Sequence, residues 1–258
     1  MKNIITITSL LAMATVANAE LVAQVWNGVP QTPVSGNAPA TWSVNDNALN
    51  WAPGKLWSVA LTVGSDAFTS GKTPFTLLSL EKSGDKTFSG LSGITVQNDN
   101  LTMPLFGTAS VVDEIPVSTV ATGKKDLTFV FNRGNSNKPS ISVYADGDFS
   151  QALLTVSYNS SYTFGDGGKN NKNITSFYFG GIGDVNNTPN GTESKFPLND
   201  QAGSFNLLGA AYWTGGNADK AALTKYYNSA VPEPSAFGLL AGLGALALVG
   251  ARRRRSRK

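Results

Sequence analysis

The sequence of 258 residues contains no cysteine and no histidine. Disulfide bonds, Cys/His zinc sites, thiol nucleophiles and every Ser-His or Cys-His catalytic arrangement are therefore excluded. Charged residues are also scarce, at 14% of the chain, whereas glycine is abundant, with 27 residues. This balance is typical of an extracellular all-β domain rather than of a cytosolic helical enzyme.

The excess of basic residues comes from one end of the chain. Six of the 20 Lys and Arg residues lie in the last seven positions, whereas the stretch from Glu20 to Ala230 holds 13 basic and 16 acidic residues, a net charge of −3. A body with this charge lacks the basic surface that nucleic-acid binding requires. We therefore expect no nucleic-acid partner.

Residues 1–19 have the pattern of a secretory signal peptide. Lys2 precedes a largely apolar stretch from Ile4 to Ala14, and Ala17 and Ala19 supply the small side chains of a cleavage site for signal peptidase. The alternative is a short buried strand. We predict an exported protein that is cleaved after Ala19.

Residues 231–258 combine three elements in a fixed order. The motif Pro232-Glu233-Pro234 lies within residues 231–235, an uncharged run follows over 235–251, and residues 252–258 are rich in arginine. At about 1.5 Å per residue the run spans about 25 Å, the short limit for a transmembrane helix. The arginine cluster favours the cytoplasmic side for the end of that helix.

This tail closely resembles the PEP-CTERM sorting signal of Gram-negative bacteria. The resemblance implies processing by exosortase near Pro232, Glu233 and Pro234, after transient anchoring in the inner membrane. It also implies delivery to the cell surface or extracellular matrix, typically alongside exopolysaccharide. Because the two prolines keep the junction extended, a protease has access to it. A tail retained as a permanent anchor is the alternative.

Between the two ends, apolar residues alternate with period two in several segments separated by turn-forming residues. The predicted strands are Ser58–Gly64, Phe75–Leu80, Ile94–Asn98, Leu101–Met103, Leu127–Phe131, Ser140–Tyr144, Leu153–Tyr158, Ile174–Gly180 and Ser204–Tyr212. One helix is predicted over Ala218–Tyr227, with Asn217 as its N-cap. The pattern predicts an all-β fold, a two-sheet antiparallel sandwich over residues 20–230 with one short C-terminal helix.

The body resembles the laminin-G-like, concanavalin-A-like jelly-roll superfamily. The resemblance is carried by Leu127–Phe149, with its Tyr-Ala-Asp-Gly turn, by Ile174–Asp184 and by Phe205–Tyr227. It extends roughly over residues 56–227 and implies a jelly-roll sandwich. This fold serves glycan binders and enzymes alike, and some of its members bind Ca²⁺ at one rim.

Catalysis would need a pair of carboxylates. Retaining glycoside hydrolases of this fold place two Glu on one strand, four residues apart. No such pair occurs among the glutamates of the body, which are Glu20, Glu81, Glu114 and Glu193. Asp146 and Asp148 would share a face of an extended strand, but Gly147 between them favours a turn. We expect no enzymatic activity, and a polysaccharide-active enzyme with an Asp pair is the alternative.

The sequence predicts no required cofactor, and it leaves Ca²⁺ open as an alternative. Oxygen ligands suit this ion, and glycine-rich loops carry Asp146, Asp148, Asp166 and Asp184. No segment has the spacing of an EF-hand loop, so the pattern does not choose a ligand set.

Sugar binding would need an exposed aromatic ring beside hydrogen-bonding groups. Tyr212 and Trp213, followed by Thr-Gly-Gly-Asn, have that composition, and the alternative is that Trp213 packs against the C-terminal helix. The other tryptophans are expected in the core or covering its edge. The expected function is a non-catalytic adhesion or glycan-associated module with exopolysaccharide or surface glycans as partners. A purely structural matrix component is a further alternative.

Overall fold

The fold is described by a computed structural model that covers residues 23–29, 33–35, 39–51, 54–68, 75–82, 92–105, 108–134, 138–157, 173–181 and 204–231. Within these ranges the chain forms fourteen strands, two α-helices and a 3₁₀ turn at Ser65–Phe68. The strands are β1 (Ala23–Val25), β2 (Val34–Ser35), β3 (Ala40–Ser43), β4 (Trp57–Gly64), β5 (Phe75–Lys82), β6 (Ser92–Gln97), β7 (Asn100–Leu105), β8 (Thr108–Pro116), β9 (Asp126–Asn132), β10 (Ser140–Ala145), β11 (Leu154–Ser157), β12 (Ile174–Phe179), β13 (Ser204–Phe205) and β14 (Leu207–Thr214). The helices are α1 (Val117–Ala121) and α2 (Lys220–Ala230).

Twelve of these strands form two sheets of six strands each. The first sheet has the order β1-β14-β4-β9-β10-β11, and the second has the order β3-β12-β5-β6-β7-β8. The short strands β2 and β13 pair with each other, and every strand pairing is antiparallel. The predicted all-β, two-sheet antiparallel jelly-roll sandwich is thus confirmed.

The main core lies between the two sheets and is built from alternate residues of each strand. In β4, Val59, Leu61 and Val63 are fully buried in this core. In the neighbouring strand β9, Phe131 lies opposite Val59 and Phe129 opposite Leu61. Removing these apolar surfaces from water is the main favourable contribution to folding.

The outer face of the first sheet carries a second, smaller core beneath α2. Ala60, Ala211 and Trp213 alternate with the inward-facing residues of β4 and β14, and they share a buried cluster with Leu223 and Tyr226 of the helix. The first sheet is therefore buried on both faces where α2 crosses it.

Polar contacts fix α2 and the segment before it to β4. The Tyr226 hydroxyl lies 2.9 Å from Oγ1 of Thr62, which is itself 2.8 Å from Oγ1 of Thr128 on β9. The backbone N–H of Ala218 donates to Oγ of Ser58 at 2.9 Å. These bonds satisfy polar groups that would otherwise be costly to bury under the helix.

The helix was predicted in the right region but with the wrong start, end and cap. It covers Lys220–Ala230, and its N-cap is Asp219, whose carboxylate accepts a hydrogen bond from Ala222 N at 2.8 Å. The prediction of Asn217 as the cap is wrong. Because the Ala218 N–H is bonded to β4, the chain is still attached to the sheet at that point and the helix begins after it.

Four strands of the structure are absent from the sequence prediction, namely β1, β2, β3 and β8. Strand β8 lies at the edge of the second sheet, and its apolar alternation is interrupted by Asp113 and Glu114. The predicted strand Ser204–Tyr212 is divided at Asn206 into β13 and β14, which belong to different sheets.

Both predicted targeting signals lie outside the described residues. These are the signal peptide with Ala17 and Ala19, and the tail with Pro232, Glu233, Pro234 and the run 235–251. In the part of the chain that the structure describes, none of the helices has the length and apolarity needed to cross a membrane.

Candidate functional site

The predicted acidic pair, Asp146 and Asp148, lies in a tight turn at the end of β10. Asp146 and Gly147 have φ angles of 53° and 72°, and Asp148 N donates to the carbonyl of Ala145 at 2.9 Å. Two successive positive φ angles are the feature of a type I′ turn, which Asp-Gly favours. The segment is therefore not extended, and the two carboxylates do not share one face of a strand.

Both carboxylates hold this acidic turn in place. Oδ1 of Asp146 accepts from the backbone N–H of Lys125 at 2.8 Å, and Oδ2 lies 3.8 Å from Nζ of Lys124. Oδ1 of Asp148 accepts from Ser150 N at 2.9 Å. Hydrogen bonds from Ser150 hold the pKa of Asp148 below its ordinary value. The turn thus uses these side chains as structural hydrogen-bond acceptors.

A third carboxylate, that of Asp126, is buried beside the acidic turn. Its side chain is 5% exposed, and Oδ2 accepts a hydrogen bond of 2.7 Å from the hydroxyl of Tyr227 on α2. Burial raises the pKa of Asp126, the bond from Tyr227 opposes this shift, and the nearby charge of Asp146 adds to it. Sequence reasoning missed Asp126, because its partner is 101 positions away.

Metal binding finds no ready ligand set near this turn. Over the described ranges, there is no group of three or more Asp, Glu, His or Cys side chains arranged to hold a metal ion. Asp166 and Asp184, from the predicted calcium loops, lie outside those ranges.

The two predicted aromatic candidates, Tyr212 and Trp213, are neighbours on β14 and point to opposite faces of the first sheet. Trp213 is fully buried beneath α2, with its ring 5.8 Å from that of Tyr226 and nearly perpendicular to it. Tyr212 is 7% exposed and belongs to the core between the sheets. The two residues therefore form no exposed platform, and Trp213 packs on the helix, as the alternative held.

A different aromatic group lies at one side of the sandwich, where β1 and β3 are the edge strands of the two sheets. Trp26 follows β1 and stacks on Trp42 of β3, with ring centroids 5.7 Å apart and planes within 8°. Trp26 also stacks on Phe179 at 5.3 Å, and Trp42 contacts Tyr212 at 5.3 Å. We call Trp26 and Trp42, together with the neighbouring polar side chains of Gln24, Asn27 and Asp46, the aromatic edge.

Polar groups flank these rings. The Tyr212 hydroxyl is hydrogen-bonded to the carboxylate of Asp46, and burial together with the charge of Asp46 raises the pKa of Tyr212. Oδ1 of Asp46 also accepts from Ala48 N at 2.8 Å. Gln24 lies opposite Tyr212 in the β1–β14 ladder and is exposed, as is Asn27. The edge therefore combines half-buried indoles with a fixed carboxylate and exposed amides.

Residues 230–255 match the model of the PEP-CTERM protein-sorting motif. The chain carries a PEP-CTERM sorting signal. This match confirms the resemblance noted for the tail, and it overlaps the described fold by two residues, the end of α2 and Val231.

The PEP-CTERM signal indicates how the protein is exported and processed. It implies export, transient anchoring in a membrane and processing by exosortase before surface display. The signal concerns export and processing, and it does not state what the sandwich binds.

The comparison with curated proteins gave no match. Similar solved structures include a receptor-binding domain, with 14% identity and a TM-score of 0.42 over 82% of this chain and 45% of that one. They also include the binding domain of botulinum neurotoxin DC in complex with rat synaptotagmin II (11%, 0.41, 81% and 46%) and a Trypanosoma rangeli sialidase (15%, 0.42, 81% and 30%). The chain spans less than half the length of each of these structures.

Proposed function

We propose that this protein is displayed at the cell surface or in the extracellular matrix, where its β-sandwich acts as a non-catalytic adhesion or glycan-associated module. The sorting signal supports the destination, because it implies export and processing by exosortase before surface display. Exosortase and signal peptidase are the processing partners in this proposal, and exopolysaccharide or surface glycans are the binding partners.

The observation that carries the non-catalytic part is the acidic turn. Asp146 and Asp148 are the candidate acidic pair of the sequence, and each accepts a backbone hydrogen bond that maintains the turn. A general acid needs a raised pKa, whereas the pKa of Asp148 is lowered. Asp126 has a raised pKa, but it is buried and its carboxylate accepts a hydrogen bond from the Tyr227 hydroxyl.

The proposal is tested by measuring binding and hydrolysis on the same material. The full-length protein, purified in detergent, is incubated with neutral and acidic polysaccharides, with and without EDTA. We expect co-migration with a polysaccharide in affinity gels, no new reducing ends, and no effect of EDTA, because the proposal requires no cofactor.

Asp146→Asn and Asp148→Asn are the matched variants, since an amide oxygen keeps the turn bonds and removes the acid. Release of reducing ends by the wild type that these variants abolish would show an enzyme instead. Absence of binding to every polysaccharide would favour a purely structural matrix component.

A further inference from the structure

The five tryptophans of the chain divide into two groups by exposure. Trp51, Trp57 and Trp213 are fully buried, whereas Trp26 and Trp42 are partly exposed and lie side by side. We infer that the aromatic edge is a binding site for a neutral polysaccharide. This inference rests on the proposed function and adds to it a place and a class of ligand.

The architecture places these two partly exposed rings at one side of the sandwich. Strands β1 and β3 end their respective sheets, so the rings span the gap between two sheet edges. Gly28 supports this position, since a Cβ there would lie only 2.8 Å from Nε1 of Trp26. The glycine lets the backbone approach the indole and fix its orientation. Sugar rings bind by stacking their C–H faces on such rigid, amphipathic aromatic surfaces.

A positioned acceptor lies beside the rings. The carboxylate of Asp46 is held by Ala48 N and by the Tyr212 hydroxyl. Since the pKa of Tyr212 is raised, its hydroxyl stays protonated at neutral pH and continues to donate. Carboxylate oxygens accept more than one hydrogen bond each, so Asp46 retains capacity for sugar hydroxyls. A preorganised acceptor of this kind reduces the entropic cost of binding.

Charge selects the class of ligand. Asp46 is acidic, the residues between Glu20 and Ala230 carry a net charge of −3, and the exposed neighbours Gln24 and Asn27 are neutral amides. Uronic-acid polymers would be repelled by this surface, whereas neutral sugars offer hydroxyls to the carboxylate and both donors and acceptors to the amides. A neutral polysaccharide is therefore the expected ligand.

The experiment uses the full-length protein in detergent micelles. Galactomannan and xyloglucan are the neutral probes, and alginate is the acidic one. Affinity gels report binding, and acrylamide quenching of tryptophan fluorescence reports exposure of Trp26 and Trp42. We expect the neutral polymers to retard the protein and to protect its fluorescence, and alginate to do neither.

Three substitutions locate the site. Asp46→Asn keeps an acceptor for Ala48 but removes the charge, and should weaken binding about tenfold. Trp26→Phe keeps a ring but shortens the stacking surface, and should weaken binding about fivefold. Gln24→Ala removes an exposed amide. The control is Thr155→Ala on β11, which is exposed at the opposite edge of the first sheet and should leave binding unchanged.

The outcomes separate the site from the function. Wild-type binding that all edge variants retain would overturn the site and leave the proposed function standing. Tighter binding to alginate than to neutral polymers would overturn the choice of ligand. Failure of the wild type to bind any probe would overturn both, and the two rings would then serve only to close the sandwich. Thermal unfolding of each variant shows whether lost binding reflects lost structure.

Discussion

Gly147 lies in the acidic turn and packs against Tyr227 of the C-terminal helix. Gly147→Ala should therefore destabilise the protein through two separate effects. With φ at +72°, any side chain costs about 1–2 kcal/mol in the left-handed region. A Cβ would also lie 2.6 Å from Cε1 of Tyr227, so the ring must move. Displacing that ring breaks its hydrogen bond to Asp126, which costs about 1–3 kcal/mol. The expected loss is therefore about 2–5 kcal/mol.

Gly123→Ala is the matched control for this prediction. Gly123 has nearly the same φ, +73°, but a Cβ there has no atom within 4 Å. Its substitution should cost only the backbone strain, about 1–2 kcal/mol. Denaturant unfolding followed by tryptophan fluorescence gives both free energies of unfolding. Equal losses for the two variants would refute the contact argument.

A double-mutant cycle with Tyr227→Phe separates the two parts of the Gly147 effect. The phenylalanine keeps the ring and removes the hydroxyl that bonds to Asp126. In that background the excess cost of Gly147→Ala over Gly123→Ala should shrink by the energy of the lost hydrogen bond, because that bond is already absent. An unchanged excess would mean that the overlap is relieved without moving the hydroxyl.

Three further predictions concern Asp126 and the two targeting signals, which are the signal peptide and the sorting motif. Burial raises the pKa of Asp126 in the folded protein above its ordinary value of 3.8, so the folded state binds this proton more tightly than the unfolded state. The wild type therefore loses stability as the pH rises from about 4 through the raised pKa. The amide side chain of the variant Asp126→Asn cannot titrate, so the free energy of unfolding of the variant should rise relative to that of the wild type over the same pH interval. A difference between the two free energies that does not change with pH in urea titrations would contradict this. Replacing Pro232, Glu233 and Pro234 together with Ala should leave export intact but keep the basic tail attached in the membrane fraction, and mass spectrometry would disprove processing by finding Lys258 on the wild-type surface protein. Ala19→Arg should block signal cleavage, because the peptidase accepts small residues there; N-terminal sequencing that still finds Glu20 would count against the assignment.

The sandwich was predictable because period-two alternation reports which face of a strand is buried. Leu127–Phe131 and Ser140–Tyr144 were assigned in this way and form parts of β9 and β10. Strand β3 was missed because it has only two apolar residues, Ala40 and Trp42, and alanine is uncommon in strands. The same alternation cannot state what covers a face. Trp213 is buried on the outer side of its sheet only because α2 lies over it.

The candidate site depended on information that no local pattern contains. Trp26 directly follows β1 of the first sheet and Trp42 lies on β3 of the second, and their stacking follows from the pairing of β1 with β14 and of β3 with β12. Asp46 reaches Tyr212 across the same gap. Each of these contacts joins residues far apart in the sequence, at separations that the repeat of a strand or a helix does not predict. Composition could name the residue types suited to a sugar site, but only the strand order brings these particular ones together.

The way in which α2 is attached explains why processing at the tail is compatible with a stable body. Helix α2 is held through Thr62, through Asp126 and, just before it begins, through Ser58, and all three precede the sorting motif by more than 100 residues. Its last turn is closed by Val231, which is 7% exposed and donates its N–H to the carbonyl of Tyr227 at 3.0 Å. Every described contact of the helix therefore lies on the amino-terminal side of Pro232. A cut within the motif would remove none of these described contacts.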